Sequence, residues 1–454
     1  MSRLERLYDA SPIWAQNVMC TLKGISNYRS RYGKAYKAYR QFFSDFDKWP
    51  LEKQLQYQND QLVSFLHYAV TNSKFYARLY EGIDIDSIRS VNDLKKLPIV
   101  DKEMLRANIN DVTTVDGVLE GHTGGTTGKS LVVMGSYDDS MNRMAMLDNF
   151  KARVGFEQNK MKRATFNGKH IVPPNQQKKV FWRYNAVCRQ MIYSSFFLTE
   201  ENIGYYVESL NKFKPAAIDG FFTSMLDVAD YIERHQLKLS FKPIAIFPTS
   251  ETLTKIGREK LERVFGCKVY NQYASSEGAP FVTECPNQIL HMELASGVFE
   301  HLAEDDDEVL VTSFTTHGTP LIRYRIGDRM AFPSNMVCTC GLYGPIVDEI
   351  QGRRLDFLYT PEGAKINAGN VAYLLKNIPN AVIRAQFIQD RMDEVTVLLE
   401  VEKGVYTRDH EEQLRDEFRH KFGEKMKVNI QIVDEISREA SGKFRMIKNQ
   451  IDKN

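Results

Sequence analysis

The strongest constraint on the fold lies between about residues 110 and 350, where short apolar stretches alternate with amphipathic ones. AAIDGF (Ala216 to Phe221), IAIFPTS (Ile244 to Ser250) and KVYNQYA (Lys268 to Ala274) have the length of strands, and LTKIGREKLERVFG between the last two has helical spacing. This alternation predicts an α/β fold with a sheet covered by helices and ligands near the strand ends. Residues 1–110 read as helical and polar. After Arg354 the texture changes: LDFLYTPEGAKI, VIRAQFIQD, EVTVLLEVE, a charged helix from Thr407 to Phe422 and VNIQIVDEI predict a compact α+β unit. The expected division is a domain over 1–354 (helical 1–110, α/β core 111–354) and a small C-terminal domain over 355–454.

A chain of 454 residues, 43% hydrophobic and 26% charged, buries enough surface for at least two domains. Its net charge of +2 gives no global attraction to nucleic acid. Six cysteines without a framework of short spacings fit a reducing compartment. MSRLERLYDASPIW lacks the apolar core of a signal peptide, and no run reaches the ~18 apolar residues of a membrane span, so the expected location is cytoplasmic. Ser11 to Ser44 holds no Asp or Glu but carries Lys23, Arg29, Arg31, Lys34, Lys37 and Arg40 among Tyr28, Tyr32, Tyr36, Tyr39, Phe42 and Phe43. Such a stripe either packs its aromatics on the body with its charges solvated, or makes peripheral contact with a membrane or a lipid-linked acceptor.

GHTGGTTGKS, Gly121 to Ser130, ends like a phosphate-binding loop, but Thr123 stands where G-x-x-x-x-G-K-[ST] needs glycine. That disfavours a P-loop kinase or NTPase. Small residues and hydroxyls at these positions suit an anion held by backbone N–H groups and Thr side chains.

Six motifs then follow in order: HTGGTTGKS, SETL (Ser250 to Leu253), YASSEGA (Tyr273 to Ala279), PLIRYRIGDRM (Pro320 to Met330), GRRLDFL (Gly352 to Leu358) and SGKFR (Ser441 to Arg445). Together they resemble the adenylate-forming acyl-CoA synthetase superfamily and, within it, the phenylacetate-CoA ligase-like branch that includes proteins of capsule and other polysaccharide gene clusters. SPIWAQN, LPIVDKEMLRANI, ECPNQILH and CTCG extend the likeness over essentially the whole chain.

The resemblance implies a large ATP- and acyl-binding domain followed by a small mobile one. It implies that Thr123, Gly124, Gly125, Thr126, Thr127, Gly128 and Lys129 embrace the phosphates of ATP, with Ser250, Glu251, Ala274, Ser275 and Ser276 completing the nucleotide site. Tyr273 is expected to stack on adenine. Glu277 matches the Mg2+ residue, Asp328 the acceptor of the ribose hydroxyls, Arg353 a cation beside ribose and phosphate, and Lys443 the lysine that closes on the α-phosphate during adenylation. The implied reaction joins ATP and a carboxylic acid into an acyl-AMP with release of pyrophosphate, then passes the acyl group to coenzyme A. An amine or amino-sugar acceptor in polysaccharide assembly is the alternative, and a non-catalytic nucleotide-binding scaffold a further one.

The acyl pocket is expected to draw on Phe166, Asn167, His170, Phe221, Phe222, Thr223 and Ser224, a mixture that leaves aryl, fatty and uronic acids open. DGFFTS replaces a proline-containing turn common in relatives, Ala274 a glycine, and Leu355 one of two acidic hinge residues before Asp356. Cys338-x-Cys340 with Cys285 and His291 offers three sulfurs and one nitrogen, a closed structural Zn2+ set; the alternative is buried thiols beside an unrelated histidine. Cys20, Cys188 and Cys267 read as core residues. Oligomeric state has no signature here.

Overall fold

The computed structural model describes residues 3–115, 119–122, 131–199, 201–250, 255–303, 306–333, 338–350, 357–367, 381–401, 403–434 and 447–451, with isolated positions at 253, 371, 373–375, 378 and 436. The N-terminal part is helical: α1 (Arg3–Ala10), α2 (Ile13–Arg31), α3 (Lys34–Phe46), α4 (Leu51–Asn72), α5 (Lys74–Leu79), α6 (Lys102–Ala107) and α7 (Ile109–Val112). Pro12 and Pro50 stand at the N-caps of α2 and α4, where a missing N–H costs nothing. The apolar spacing of α4 buries Leu62, Phe65, Leu66 and Ala69 in the largest core.

The basic aromatic segment packs inward. Tyr36 and Tyr39 donate to Asp148 at 2.9 Å and Asp138 at 2.6 Å of α8 (Tyr137–Ala152), while Phe42, Phe43 and Phe46 join Trp49 and Tyr57. Lys23, Arg29, Arg31, Lys34 and Lys37 are exposed. Arg153, just after α8, ties this layer to the body through Asp47 at 2.7 Å and Glu293 at 2.5 Å.

β1 (Leu119–His122) and β2 (Val132–Gly135) form a hairpin ladder. A six-stranded sheet has the order β4-β5-β3-β6-β7-β8, with β3 (Arg163–Asn167), β4 (Trp182–Asn185), β5 (Gln190–Ser194), β6 (Ala217–Phe221), β7 (Ala245–Thr249) and β8 (Lys268–Val269). All its pairings are parallel except β4 with β5. Helices α9 (Ile203–Phe213), α10 (Phe222–Arg234) and α11 (Lys255–Phe265) connect its strands, and residues of each pack with Phe166, Ile218 and Ile246 in one core. The expected βαβ layering is therefore present.

KVYNQYA, expected as one strand, is divided between two sheets. Tyr270 packs with Phe150, Phe156 and Phe247, and the Glu284 carboxylate accepts from the N–H of Asn271 at 2.7 Å, which turns the chain out of the first sheet. A four-stranded antiparallel sheet follows, β15-β11-β10-β9, built from β9 (Gln272–Tyr273), β10 (Val282–Glu284), β11 (Leu290–Met292) and β15 (Ile346–Val347). Beside it lies β12-β13-β14-β16: β12 (Gly297–Ala303), β13 (Asp306–Ser313), β14 (Leu321–Ala331) and β16 (Glu349–Ile350).

The C-terminal part is the expected α+β arrangement. β17 (Phe357–Tyr359) pairs with β18 (Lys365–Asn367), and a mixed sheet β21-β20-β19-β22 contains β19 (Val382–Arg391), β20 (Glu394–Val401), β21 (Lys427–Ile432) and β22 (Ile447–Asn449). Helix α12 (Arg408–Phe422) starts at a Thr407 capping box, carries acids in its first turn and bases in its last, and ends before Gly423 at φ 84°. Its Leu414, Phe418 and Phe422 pack with Phe387, Val395 and Val397, and Phe196 of the larger part joins that core.

Candidate active site and cysteine–histidine cluster

The carboxyl ends of β3, β6 and β7 lie side by side, Phe166 opposite Gly220, Gly220 opposite Pro248 and Phe221 opposite Thr249. Open α/β sheets take their ligands at this edge. Gly220 has φ 121°, and a Cβ there would stand 1.9 Å from the Phe166 carbonyl oxygen, so glycine alone lets the two strands close at this level. Ser250 follows β7 with φ 68°, a left-handed backbone conformation uncommon for a residue other than glycine.

The turn after β9 comes to the same end. Gln272 Nε2 donates to the Pro248 carbonyl at 3.3 Å, and Tyr273 OH donates to Asp328 Oδ2 at 2.8 Å, joining two motifs 55 residues apart. Tyr273, expected as an adenine platform, is 8% exposed and contributes to the main core. Ala274 and Ser276 are exposed, while Ser275 and Glu277 are half-buried. Ser276 Oγ donates to the Glu277 carboxylate at 3.1 Å. Gly278 adopts φ 99°, and a Cβ there would meet the Thr316 methyl at 2.6 Å.

Arg143 braces this turn, a role its sequence position did not suggest. Its guanidinium donates to the carbonyls of Gly278 at 2.9 Å and Ala279 at 3.0 Å and to Thr315 Oγ1 at 2.9 Å, and it stacks over Phe281. Burial pulls it down to about 10, so it stays charged at neutral pH. Also missed was the segment FTTHGTP. Its His317 contacts Asp139 at 2.7 Å, and the Gly318 backbone lies against Met134 of β2. The sequence signal was the run of Thr, His and Gly just before PLIRYRIGDRM. The β1–β2 ladder, which brackets the phosphate loop, is adjacent, for a Cβ on Gly121 would stand 3.6 Å from the Ser276 carbonyl.

Thr123, Gly124, Gly125, Thr126, Thr127, Gly128, Lys129, Glu251, Arg353, Leu355, Asp356 and Lys443 lie outside the described residues.

The expected acyl-pocket residues divide. Asn167, Phe221 and the backbone of Thr223 lie at or just beyond the strand ends. Phe166 is fully buried, stacked on Tyr193 with centroids 5.0 Å apart, and Phe222 is also a core residue, because α10 begins directly at the end of β6 where a turn was expected. Ser224 is buried with its hydroxyl donating to Ser195 Oγ at 2.9 Å. His170 stands elsewhere: Nε2 is 2.9 Å from Asp9 Oδ1, and its ring meets that of His420 edge to face at 5.0 Å.

The cysteine–histidine set converges. Cys285 follows β10, His291 lies in β11, and Cys338 and Cys340 come from the segment leading to β15, which pairs with β11. The four ligand atoms lie within 4.8 Å of one another, with Cys285 Sγ 3.7 Å from Cys338 Sγ and Cys340 Sγ 3.5 Å from His291 Nε2. A disulfide would need about 2.05 Å. Tetrahedral zinc at about 2.3 Å from sulfur and 2.0–2.1 Å from nitrogen sets edges of roughly 3.5–3.8 Å, so the set fits that ion. His291 Nδ1 donates to the Gly344 carbonyl at 2.8 Å, which leaves Nε2 as the ligating atom. The remaining cysteines are free: Cys267 is buried as expected, whereas Cys20 and Cys188 are only partly covered.

Comparison with known proteins decides the family. Protein CapK of Staphylococcus aureus is 35% identical over 454 residues, covering 99% of this chain and all of the relative. The chain belongs to the CapK family. The family described as CapK C-terminal domain matches residues 358–450, the stretch from β17 to β22. Among solved structures, 2-hydroxyisobutyryl-CoA ligase in complex with 2-HIB-AMP and CoA in the thioesterification state aligns with a TM-score of 0.57 at 18% identity, over 89% of this chain and 91% of that one. The same ligase in its postadenylation state with R3-HIB-AMP gives 0.53 at 17%, with the same coverages. This CapK-family chain therefore has the fold of adenylate-forming ligases, a large α/β part followed by a small α+β part. Among the described residues no helix is long and apolar enough to cross a membrane.

Proposed function

We propose that the chain is an adenylate-forming ligase, with one domain over 1–354 and a second over 355–454. The carboxylate oxygen of an organic acid attacks the α-phosphorus of ATP, the bond to pyrophosphate breaks, and an acyl-AMP remains. The thiol of coenzyme A then attacks the acyl carbonyl and AMP leaves. The observation that carries this reading is the meeting of the Tyr273 turn, Asp328 and the phosphate-loop hairpin at the carboxyl edge of a parallel sheet. The solved ligase that shares the fold holds 2-HIB-AMP and CoA.

Within this reading Asp328 accepts the ribose hydroxyls, its carboxylate oriented by Tyr273. Thr123 to Lys129 wrap the phosphates, with Ser250, Glu251, Ser275 and Ser276 along the nucleotide and Arg353 beside it. Glu277, half-buried on a braced turn and bonded to Ser276, offers the oxygen ligand that a hard cation requires. Mg2+ held there would supply positive charge across the phosphates. Lys443 brings a cation to the α-phosphate as charge builds during adenylation. Asn167, Phe221 and Thr223 face the acid. Zn2+ in the Cys285–His291–Cys338–Cys340 set is structural: four protein ligands leave no position for substrate, and the ion fastens the sheet whose edge strand carries Tyr273.

Incubation with ATP, Mg2+ and a panel of aryl, fatty and uronic acids, with coenzyme A or with amines, tests the proposal. Pyrophosphate and an acyl-CoA are expected with one class of acid. An amide product would move the second half-reaction to a nitrogen acceptor, and no pyrophosphate with any acid would overturn the ligase reading.

A further inference from the structure

Asp9 in α1, His170 in the segment after β3 and His420 in the last turn of α12 are far apart in sequence and meet at one half-buried spot, with their ligand atoms within 4.8 Å of one another. Two of the three are preset. Tyr8 OH donates to the Ile171 carbonyl at 2.5 Å, so the neighbours of Asp9 and His170 are already tied together. Gln16 Nε2 holds the Tyr8 carbonyl at 2.9 Å, and Gln16 Oε1 accepts from the buried Arg183 at 2.6 Å. These bonds fix Asp9 Oδ1 at 2.9 Å from His170 Nε2 without help from the C-terminal part. His420 alone comes from that part, its ring 5.0 Å from that of His170 at 84°.

We propose that Asp9, His170 and His420 form a divalent transition-metal site that ties α12 to α1 and the six-stranded-sheet layer. Two imidazoles and one carboxylate suit a borderline ion such as Zn2+, Co2+ or Ni2+ better than Ca2+ or Mg2+, which favour all-oxygen sets. Three protein ligands leave a coordination position for water on the open side. The end of α12 adds a favourable field, since unpaired carbonyls at a helix C-terminus attract positive charge. The site is separate from the cysteine–histidine set, with which it shares no residue. Bound metal would hold the C-terminal part in the position seen here, and an empty site would leave that contact to one pair of rings and the packing around Phe196.

The full-length chain and its Asp9→Asn and His420→Ala variants, dialysed against zinc and counted for metal by mass spectrometry, provide the test. The wild type should hold about one equivalent more than either variant, whether or not the cysteine set is also filled. Hydrogen exchange read over α1 and α12 should slow on adding zinc to the wild type and stay unchanged in both variants. Equal metal content in the three proteins overturns the site. A difference in metal without a difference in exchange overturns the tie between the two parts.

Discussion

At the residue scale, the reading rests on two carboxylates that look alike in sequence and are handled differently by the structure. Asp328 is held by the Tyr273 hydroxyl, whereas Glu277 sits on an exposed-edged turn where the neighbouring Ser276 donates to its carboxylate. Glu277→Gln keeps size and much of the hydrogen bonding but removes the charge a metal needs. It should fold normally, by circular dichroism, and lose Mg2+-dependent pyrophosphate release by about 10²-fold or more, the scale of one deleted charge-stabilising group. Wild-type turnover in that variant would remove Glu277 from the metal site. Tyr273→Phe deletes a hydrogen bond to a charged group, commonly worth about 1.5–3 kcal/mol. If Asp328 reads ribose, the variant's KM for ATP should rise roughly 10-fold or more while the KM for the acid changes little. Equal rises would make the bond a general support of the fold. Both carboxylates were singled out because each lies in a compact motif, YASSEG or RIGDR, and the Tyr273–Asp328 bond brings those two motifs together. The bracing of the Glu277 turn by Arg143 was not, since an arginine in the middle of a helix carries no local sign of the turn it will meet.

At the scale of elements, strand and helix identity followed from apolar runs, while the assignment of strands to sheets did not. KVYNQYA has an unbroken strand pattern, yet Glu284 and the aromatic cluster around Tyr270 divide it. That outcome depends on residues distant in sequence, which no local period encodes. Likewise DGFFTS reads as a turn by analogy, but Phe222 and Met225 have a core to enter and the helix starts at once. The cysteine set was legible because soft ligands at short spacing are uncommon by chance. Its sheet is short-stranded, β10 and β11 having three residues each, so an ion held by the proposed set would add to its rigidity. Purified protein should carry zinc at this set, and Cys338→Ser with Cys340→Ser should lose about one equivalent and several degrees of Tm. An unchanged Tm with no metal in either protein would make these thiols plain packing residues.

At the scale of the whole molecule, the contacts between the small α+β part and the large one include, among the described residues, Phe196, Phe197, the approach of β18 to α10 and the His170–His420 rings. That a small α+β part follows the α/β part was legible as a change of texture; how the two parts sit was not, because it depends on surfaces and not on periodicity. Lys443 belongs to this scale. If it is the cation proposed for the α-phosphate, its removal in Lys443→Ala should slow adenylation by about 10²-fold and leave transfer from a supplied acyl-AMP near the wild-type rate. Equal loss in both steps would show that the lysine serves both half-reactions or the fold itself.

The central claim is that this chain joins a carboxylic acid to AMP. The most direct test is exchange of labelled pyrophosphate into ATP, measured with Mg2+ and each candidate acid but with no thiol or amine present. Reversible adenylation predicts exchange that depends on one class of acid and falls by about 10²-fold or more in Glu277→Gln. Absence of exchange with every acid, in a protein that binds ATP and is fully folded, would contradict the claim.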